Sequence, residues 1–269
     1  MAPEQRRKSI ASLVQAEGRQ SVEALAARFD VSAETIRRDL SRLAADGQVR
    51  KVHGGALKAQ LHAEPSLTER MGEDADAKTA IAETLTGIVR PGDTLFIDSG
   101  STTLAAARAL LSVPDLTIIT NSHAIAAVFG RSARHRLYLL GGQYRAANEQ
   151  TVGPMVLEQI AQFRADHAVI TVAAIDAPAG AMDADFDEAQ IARAMIASAR
   201  HAVILGAASK FGRHAGFRVC PPDAIDILIT EAPPAPELAA LLHGAGVTIM
   251  SAPAGTDRTN RHRSTMAAA

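Results

Sequence analysis

From Lys78 to Met250 the chain alternates short aliphatic runs with stretches of helical period, and that rhythm leaves few folds open. The runs are Thr94–Asp98, Leu116–Thr120, Arg136–Leu140, Ala168–Ala173, His201–Leu205, Asp226–Thr230 and Val247–Met250. A segment carrying Ile81, Leu85 and Ile88 precedes the first of them, and Thr102–Leu111, Ala124–Phe129, Pro154–Phe163, Asp187–Ala199 and Ala235–His243 lie between them. Aliphatic runs this short, separated by helices, predict a mostly parallel sheet buried on both faces.

The first 58 residues follow another pattern. Glu4–Ala16 places Ile10, Leu13 and Val14 on one side, and Gly18 is set to end that helix. Ser21 caps a second helix with Val22, Leu25, Ala26 and Phe29 on its inner face, and only Asp30–Ser32 precede a third. In the third, Ser32 is the N-cap, Glu34 suits the positive end, and Ile36, Leu40, Leu43 and Ala44 draw one apolar stripe. Thr35, Arg38 and Arg42 share another side, with Arg37 and Ser41 nearby. This face fits a DNA major groove, and it also fits a plain solvated helix. The ribbon Gln48–Leu57 decides for DNA, because Arg50, Lys51 and His53 make it basic and Gly54-Gly55 allows a tight turn. Three helices and a basic hairpin predict a winged helix-turn-helix over residues 1–58. Residues 59–75 are polar, with Pro65 and no clear period, and predict a linker. An α/β domain follows over 76–251, and the Thr-, Arg- and Ala-rich tail 252–269 is predicted to be disordered.

Charge supports this division. Through residue 58 there are 11 Lys and Arg against 7 Asp and Glu, and beyond it 17 against 22. A basic head on an acidic body says where a polyanion binds. With 3% aromatic residues and no Trp, the core must be aliphatic. The single Cys220 excludes an intrachain disulfide and a thiolate metal cluster. The N-terminus lacks a secretory apolar core and no run reaches membrane-spanning length, so the chain is expected to be cytoplasmic, with no membrane partner.

In a parallel sheet, ligands bind beyond the carboxyl ends of the strands. Asp98-Ser99-Gly100-Ser101-Thr102-Thr103 sits at such an end and opens a helix. Its hydroxyls and free N–H groups are those that hold a phosphate without a metal, although the same residue types also make an ordinary capped turn. Asn121-Ser122 and Gly141-Gly142 follow the next two strands. Lys210 is either a point charge closing on that phosphate or a solvated loop lysine. Asp185-x-x-Glu188 reads as a capping box, with Asp183 or Asp176 placed to meet sugar hydroxyls. The nine His have no ligand spacing, and neither metal nor cofactor is expected.

These landmarks carry a resemblance. Thr35–Leu40, Leu43, Gly47, Arg50 and His53-Gly-Gly-Ala56 resemble the N-terminal signature of the DeoR family of bacterial sugar-metabolism repressors. Asp98–Thr103, Thr120–Ser122, Gly141-Gly142, Thr151-x-Gly153, Asp187–Ala189 and Ser209–Gly212 are similar to its sensor-domain landmarks. Within the family, Ile175-Asp176, Phe186-Asp187 and Lys210–Arg213 look most like the glycerol-3-phosphate regulon repressors. The resemblance implies operator DNA as partner, a homo-oligomer (dimer or tetramer), a phosphorylated sugar or polyol effector, and a sensor fold shared with ribose-5-phosphate isomerases and CoA transferases. Ala207 stands where the family usually has Asp, and Thr171 and Ala174 where it has Gly. The competing reading is a phosphosugar isomerase fused to a DNA-binding module, with Asp98 or Asp176 and Lys210 as an acid–base pair.

Overall fold

The computed structural model describes residues 2–45, 48–52, 54–58 and 65–252. His53, the side chain of Arg50, residues 59–64 of the expected linker and tail residues 253–269 lie outside the described residues.

The N-terminal unit runs α1 (Pro3–Glu17), β1 (Gln20–Ser21), α2 (Val22–Phe29), α3 (Ala33–Ala45), β2 (Val49–Val52) and β3 (Gly55–Lys58). Pro3 starts α1, where its missing N–H costs nothing, and Gly18 at φ 81° ends it. The Ser21 hydroxyl accepts the Ala24 N–H at 3.1 Å, a cap worth about 1 kcal/mol to a helix of two turns. Ile10, Val14, Leu25, Ile36, Leu40 and Leu43 meet in one core. The wing has three strands, in the order β1-β3-β2, where the sequence suggested two. Gly54 takes the turn at φ 77°, whereas Gly55 serves a different need. A Cβ on Gly55 would lie 2.1 Å from the Gln20 carbonyl oxygen, so only glycine lets β1 close on β3.

One buried ion pair ties this unit together. Asp39, in the middle of α3, is 4% exposed and accepts from Arg6 Nε of α1 at 2.6 Å. Arg7 Nη1 stands 3.9 Å from its other oxygen. Asp39 therefore faces inward beside Leu40 while its neighbours Arg37 and Arg38 face out.

The remainder runs α4 (Leu67–Met71), α5 (Ala75–Thr86), β4 (Thr94–Ile97), α6 (Ser101–Leu110), β5 (Thr117–Thr120), α7 (His123–Phe129) and β6 (Arg136–Leu139). Then come β7 (Gln143–Arg145), β8 (Gln150–Val152), α8 (Pro154–Ile160), β9 (Ala165–Thr171), β10 (Ala174–Asp176), β11 (Gly180–Asp183) and α9 (Phe186–Ala197). The chain closes with β12 (Ala199–Leu205), β13 (Phe217–Cys220), β14 (Ile227–Thr230), α10 (Pro236–Gly244) and β15 (Thr248–Ser251). Seven parallel strands form one sheet in the order β15-β14-β12-β9-β4-β5-β6. Alternate residues of its central strands enter separate cores. Leu95, Ile97, Val169, Val203 and Leu205 pack with α5, α6 and α7, while Phe96, Ala168, Ile170 and Ile204 pack with α8 and α9. That is why the strands read as unbroken aliphatic runs.

Two features depart from the sequence reading. Residues 65–75 were expected as open linker, yet Ser66 caps α4 with a reciprocal Glu69 capping box, and Leu67 and Arg70 are buried. Further, an antiparallel sheet β10-β11-β13 and a hairpin β7-β8 lie beside the main sheet. Cys220 on β13 is buried, and that burial pushes its thiol up to about 12, so it stays protonated.

Removing one partner of the Asp39–Arg6 pair leaves a buried charge alone. Asp39→Ala is expected to destabilise the N-terminal unit by about 3 kcal/mol, within the range for broken buried pairs. Urea unfolding followed by circular dichroism checks this; a change below about 1 kcal/mol would make the pair incidental.

Candidate functional site

The outer face of α3 carries Thr35, Arg37, Arg38, Ser41 and Arg42, with Ser32 just before it. The Ser32 hydroxyl accepts the Thr35 N–H at 3.2 Å and lies 2.9 Å from the Thr35 hydroxyl, so it caps as expected. Arg37 and Arg38 flank Glu34 at 3.5 and 3.6 Å, with side chains 53% and 80% exposed. Pairs so exposed hold the guanidinium groups only loosely, leaving them available to another anion. Arg42 is exposed one turn further on. The Lys51 ammonium of β2 donates to the Ser41 hydroxyl at 2.9 Å, and Ser41 donates to the Arg37 carbonyl at 2.7 Å. Helix and wing thus present one continuous cationic surface.

The second site lies in the sensor half. Strands β5 and β6 follow β4 to one side of the sheet, and β12, β14 and β15 follow β9 to the other. The strand order therefore reverses between β4 and β9, where a doubly wound sheet opens a crevice at its carboxyl end. Asp98 stands at that point. Its Oδ2 accepts the Thr171 N–H at 3.0 Å across the junction, while Oδ1 is buried with no hydrogen-bond partner among the described residues. Burial pushes the Asp98 carboxyl well above the ordinary range; the charges of Asp183 and Glu188 push the same way, against the Thr171 bond and the Thr103 hydroxyl.

Gly100 follows in extended backbone and opens α6 with no side chain to cap it. Its Cβ position lies 2.2 Å from the Thr171 methyl, so Thr171 fills the floor that a bare Gly100 leaves. Ser101, Thr102 and Thr103 are buried in the first turn, and the Thr103 hydroxyl donates to the Gly100 carbonyl at 3.1 Å. Ser99 donates to the Asn148 carbonyl at 3.0 Å.

That last contact introduces residues the sequence did not single out. The turn between β7 and β8 places Asn148 over the loop, where it accepts from Arg70 Nη2 at 2.9 Å and donates to Glu188 at 2.6 Å. Gln150 also donates to Glu188. Asp185 caps α9 through the Asp187 and Glu188 N–H groups as expected, but Glu188 does not complete the box; it turns toward the hairpin instead. Arg145 of β7 bonds Asp185 at 2.7 Å and Asp187 as well. On the facing side, Lys78 donates to the Arg70 and Glu73 carbonyls. Burial lowers the Lys78 pKa; Asp74 opposes that shift, and the nearby Lys210 charge adds to it. A readable signal existed here: Lys78, Ile81, Ala82 and Leu85 are the buried stripe of α5, and one of the four is a lysine.

Other candidates are placed apart from Asp98 or bonded elsewhere. The Asn121 amide donates to Gln150 Oε1 at 3.2 Å and to the Thr151 carbonyl at 2.9 Å, and Ser122 caps α7. Gly141 is bound through its N–H and carbonyl by Gln159 at 3.0 and 2.8 Å. Gly142 packs where a Cβ would meet the Val152 carbonyl and Val156 at 2.7 Å. Asp176 at the end of β10 lies 3.6 Å from His214. The turn carrying Lys210 is pinned by Glu231, which accepts the Ala208 N–H at 3.0 Å, and by Ser209 donating to Asp74 at 2.6 Å. Ala207 itself is buried in the core.

A winged helix-turn-helix joined to an α/β domain whose parallel sheet reverses its strand order beside Asp98 is the plan of a transcriptional repressor under small-molecule control. Residues 6–60 match the DeoR-like helix-turn-helix domain and residues 73–232 the DeoR C terminal sensor domain. The glycerol-3-phosphate regulon repressor of Escherichia coli (strain K12) is 34% identical over 87% of this chain and 93% of its own. The HTH-type transcriptional repressor CsqR of the same strain is 32% identical over 86% and 88%. GlcR, an HTH-type transcriptional repressor of Bacillus subtilis (strain 168), is 28% identical over 93% and 96%. The chain belongs to the DeoR family. Among solved structures, the ribose 5-phosphate isomerase of Methanocaldococcus jannaschii aligns over 52% of this chain and 55% of its own. The identity is 14% and the TM-score 0.39, an overlap too loose to argue from. No helix among the described residues is long and apolar enough to cross a membrane.

Asp98 gives this site a pH signature. The native carboxyl holds its proton above the pH at which an unfolded Asp, near about 3.9, has lost it. Native protein thus binds more protons than unfolded chain, and stability falls as pH rises from about 4 toward the raised native pKa. Asp98→Asn keeps an acceptor for Thr171 and removes the ionisation. Its stability relative to the parent is expected to increase between pH 4 and 8 in urea unfolding. Parallel stability curves would mean that the carboxyl is solvated.

Proposed function

We propose that α3 reads operator DNA through Thr35, Arg37, Arg38, Ser41 and Arg42, with Ser32 at its cap and Arg50, Lys51 and His53 of the wing on phosphate. We further propose that the crevice between β4 and β9 takes a phosphorylated polyol or sugar. The phosphate sits on the uncapped N–H groups of α6 between Ser99 and Thr103, and Lys210 supplies charge from beside Lys78. The hydroxyl end meets Asp98, Asp183 and Glu188. The observation that carries this reading is the buried Asp98 carboxyl, held by the Thr171 N–H and near the Thr103 hydroxyl, whose Oδ1 has no direct hydrogen-bond partner among the described residues, beside an α6 N-terminus with no side-chain cap. A buried polar atom left alone costs about 1–3 kcal/mol, a cost a ligand hydroxyl would offset. Glycerol 3-phosphate is the first effector to try, since relatives named for that regulon are 34% identical. In this reading Asn121, Gly141 and Gly142 hold the β7–β8 hairpin in place, and Asp176 acts through His214. The domain senses and does not turn its ligand over, so a phosphosugar isomerase assay should give no product. Operator binding by a dimer or tetramer follows from the need for paired half-sites.

The effector arm is tested by thermal shift and operator titration with a phosphosugar panel. Thr102→Ala should keep operator affinity and lose the response to effector. Gly100→Val is a poorer probe, because its side chain would strike Thr171 and disturb the fold. A Thr102→Ala protein responding like the parent would move the phosphate site elsewhere.

The DNA arm separates base readers from phosphate contacts. Arg38→Ala or Arg42→Ala should weaken operator binding by about 1–3 kcal/mol. Lys51→Ala should weaken all sequences alike and flatten the salt slope by about one. Unchanged affinity in both arginine variants, measured by fluorescence anisotropy, would remove α3 from the groove.

A further inference from the structure

The turn that carries Lys210 does not end in solvent. Three residues on, Arg213 Nη2 donates to the Ala44 carbonyl at 3.3 Å, and Ala44 belongs to the last turn of α3. Last-turn carbonyls of a helix have no partner within it and carry the negative end of its dipole, so a guanidinium is a fitting cap. The segment between is held at both sides. Ser209 bonds Asp74, the residue preceding α5, at 2.6 Å, and the Gly212 N–H bonds the Ile175 carbonyl of β10 at 2.9 Å. Phe211 also bridges Ile175. Seven residues, 207–213, thus run from the wall of the crevice to the end of the recognition helix.

The quality of the contact matters as much as its place. Arg213 Nε is buried and has no hydrogen-bond partner among the described residues. A permanent strut would satisfy that N–H. A contact that buries an unpaired donor is held at a cost and is released readily when its loop moves.

We propose that Arg213 is the contact by which the sensor domain holds the recognition helix, and that an effector engaging Lys210 releases it. The second half rests on the effector reading above; the first half does not. Arg213 is a positioning residue, since it meets neither the crevice nor the DNA-facing side of α3.

Hydrogen exchange of the full chain, read by mass spectrometry, tests both halves. Arg213→Gln should show about tenfold faster exchange in the last turn of α3, as expected for one charged hydrogen bond lost at a helix end. Arg213→Lys keeps a cationic donor and should recover part of the protection; it also carries the test if the Gln variant misfolds. Unchanged exchange in both overturns the inference. Saturating glycerol 3-phosphate should speed α3 exchange in the parent and add nothing in Arg213→Gln, while raising the melting temperature of both. Binding to the parent without any change in α3 also overturns it. A parent whose melting temperature does not move with glycerol 3-phosphate or the phosphosugar panel overturns the effector reading alone, and the Arg213 contact then stands or falls on exchange without ligand.

Discussion

The geometry of the junction at the centre of the sensor half is set by the bond that Asp98 makes to the Thr171 N–H. Strands β4 and β9 are neighbours in the sheet, yet about seventy residues of chain separate them. The later strands of the first half, β5 and β6, lie to one side, and β12, β14 and β15 to the other. The carboxyl bridges the point where the two halves part company, in a site dry enough to favour its protonated form. Protonated, it offers the crevice a donor; ionised, it would face Asp183 and Glu188 as a third negative charge. The interior field therefore sets which hydrogen bonds the site can offer.

Polar side chains organise the rest of that crevice from a distance. The β7–β8 hairpin is short and has little core of its own, and it is held by Asn121, Glu188, Arg145 and Arg70. Apart from Arg145, which is on β7 itself, these residues come from the loop after β5, from α9 and from α4, so the hairpin is held from three separate parts of the chain. The N-terminal unit uses the same device on a smaller scale. Asp39 in the Arg-Arg-Asp-Leu run faces Arg6 of α1, so it orients α3 while its neighbours face outward.

Much of this could be read from the residues, and what could not has a common cause. The three N-terminal helices, the basic ribbon and all seven parallel strands follow from apolar period and capping. The elements that stayed hidden are β1, β7, β8, β10, β11 and β13, which have two to four residues each. Strands so short show no alternation, whether they pair locally, as β7 with β8 and β10 with β11, or with a distant strand, as β1 with β3 and β11 with β13. Helix α4 was hidden because a five-residue helix in polar sequence looks like linker, even with Ser66 and Glu69 at capping spacing. In the site, the loop Asp98–Thr103 was legible because strand end, glycine and hydroxyls are contiguous. Arg70, Asn148 and the turned Glu188 were not, because their roles rest on contacts spanning 40 to 78 residues. Asn121 and Gly142 have the right residue types at strand ends, and their contacts with the β7–β8 hairpin were not readable because they reach across the fold.

The close fit of Gly100 against the Thr171 methyl also constrains the order in which this crevice can change. The two positions share one small volume, with a side chain at 171 and none at 100. Enlarging 100 first would drive two carbons together at the heart of the junction. Reducing 171 first empties the space of the methyl and gives up the hydroxyl's long bond to the Leu205 carbonyl, which a domain can tolerate at modest cost. A lineage moving between the two arrangements must therefore pass through the state in which both positions are small. That intermediate has the most open junction of the series, so the packing there must loosen before it can tighten in the other arrangement.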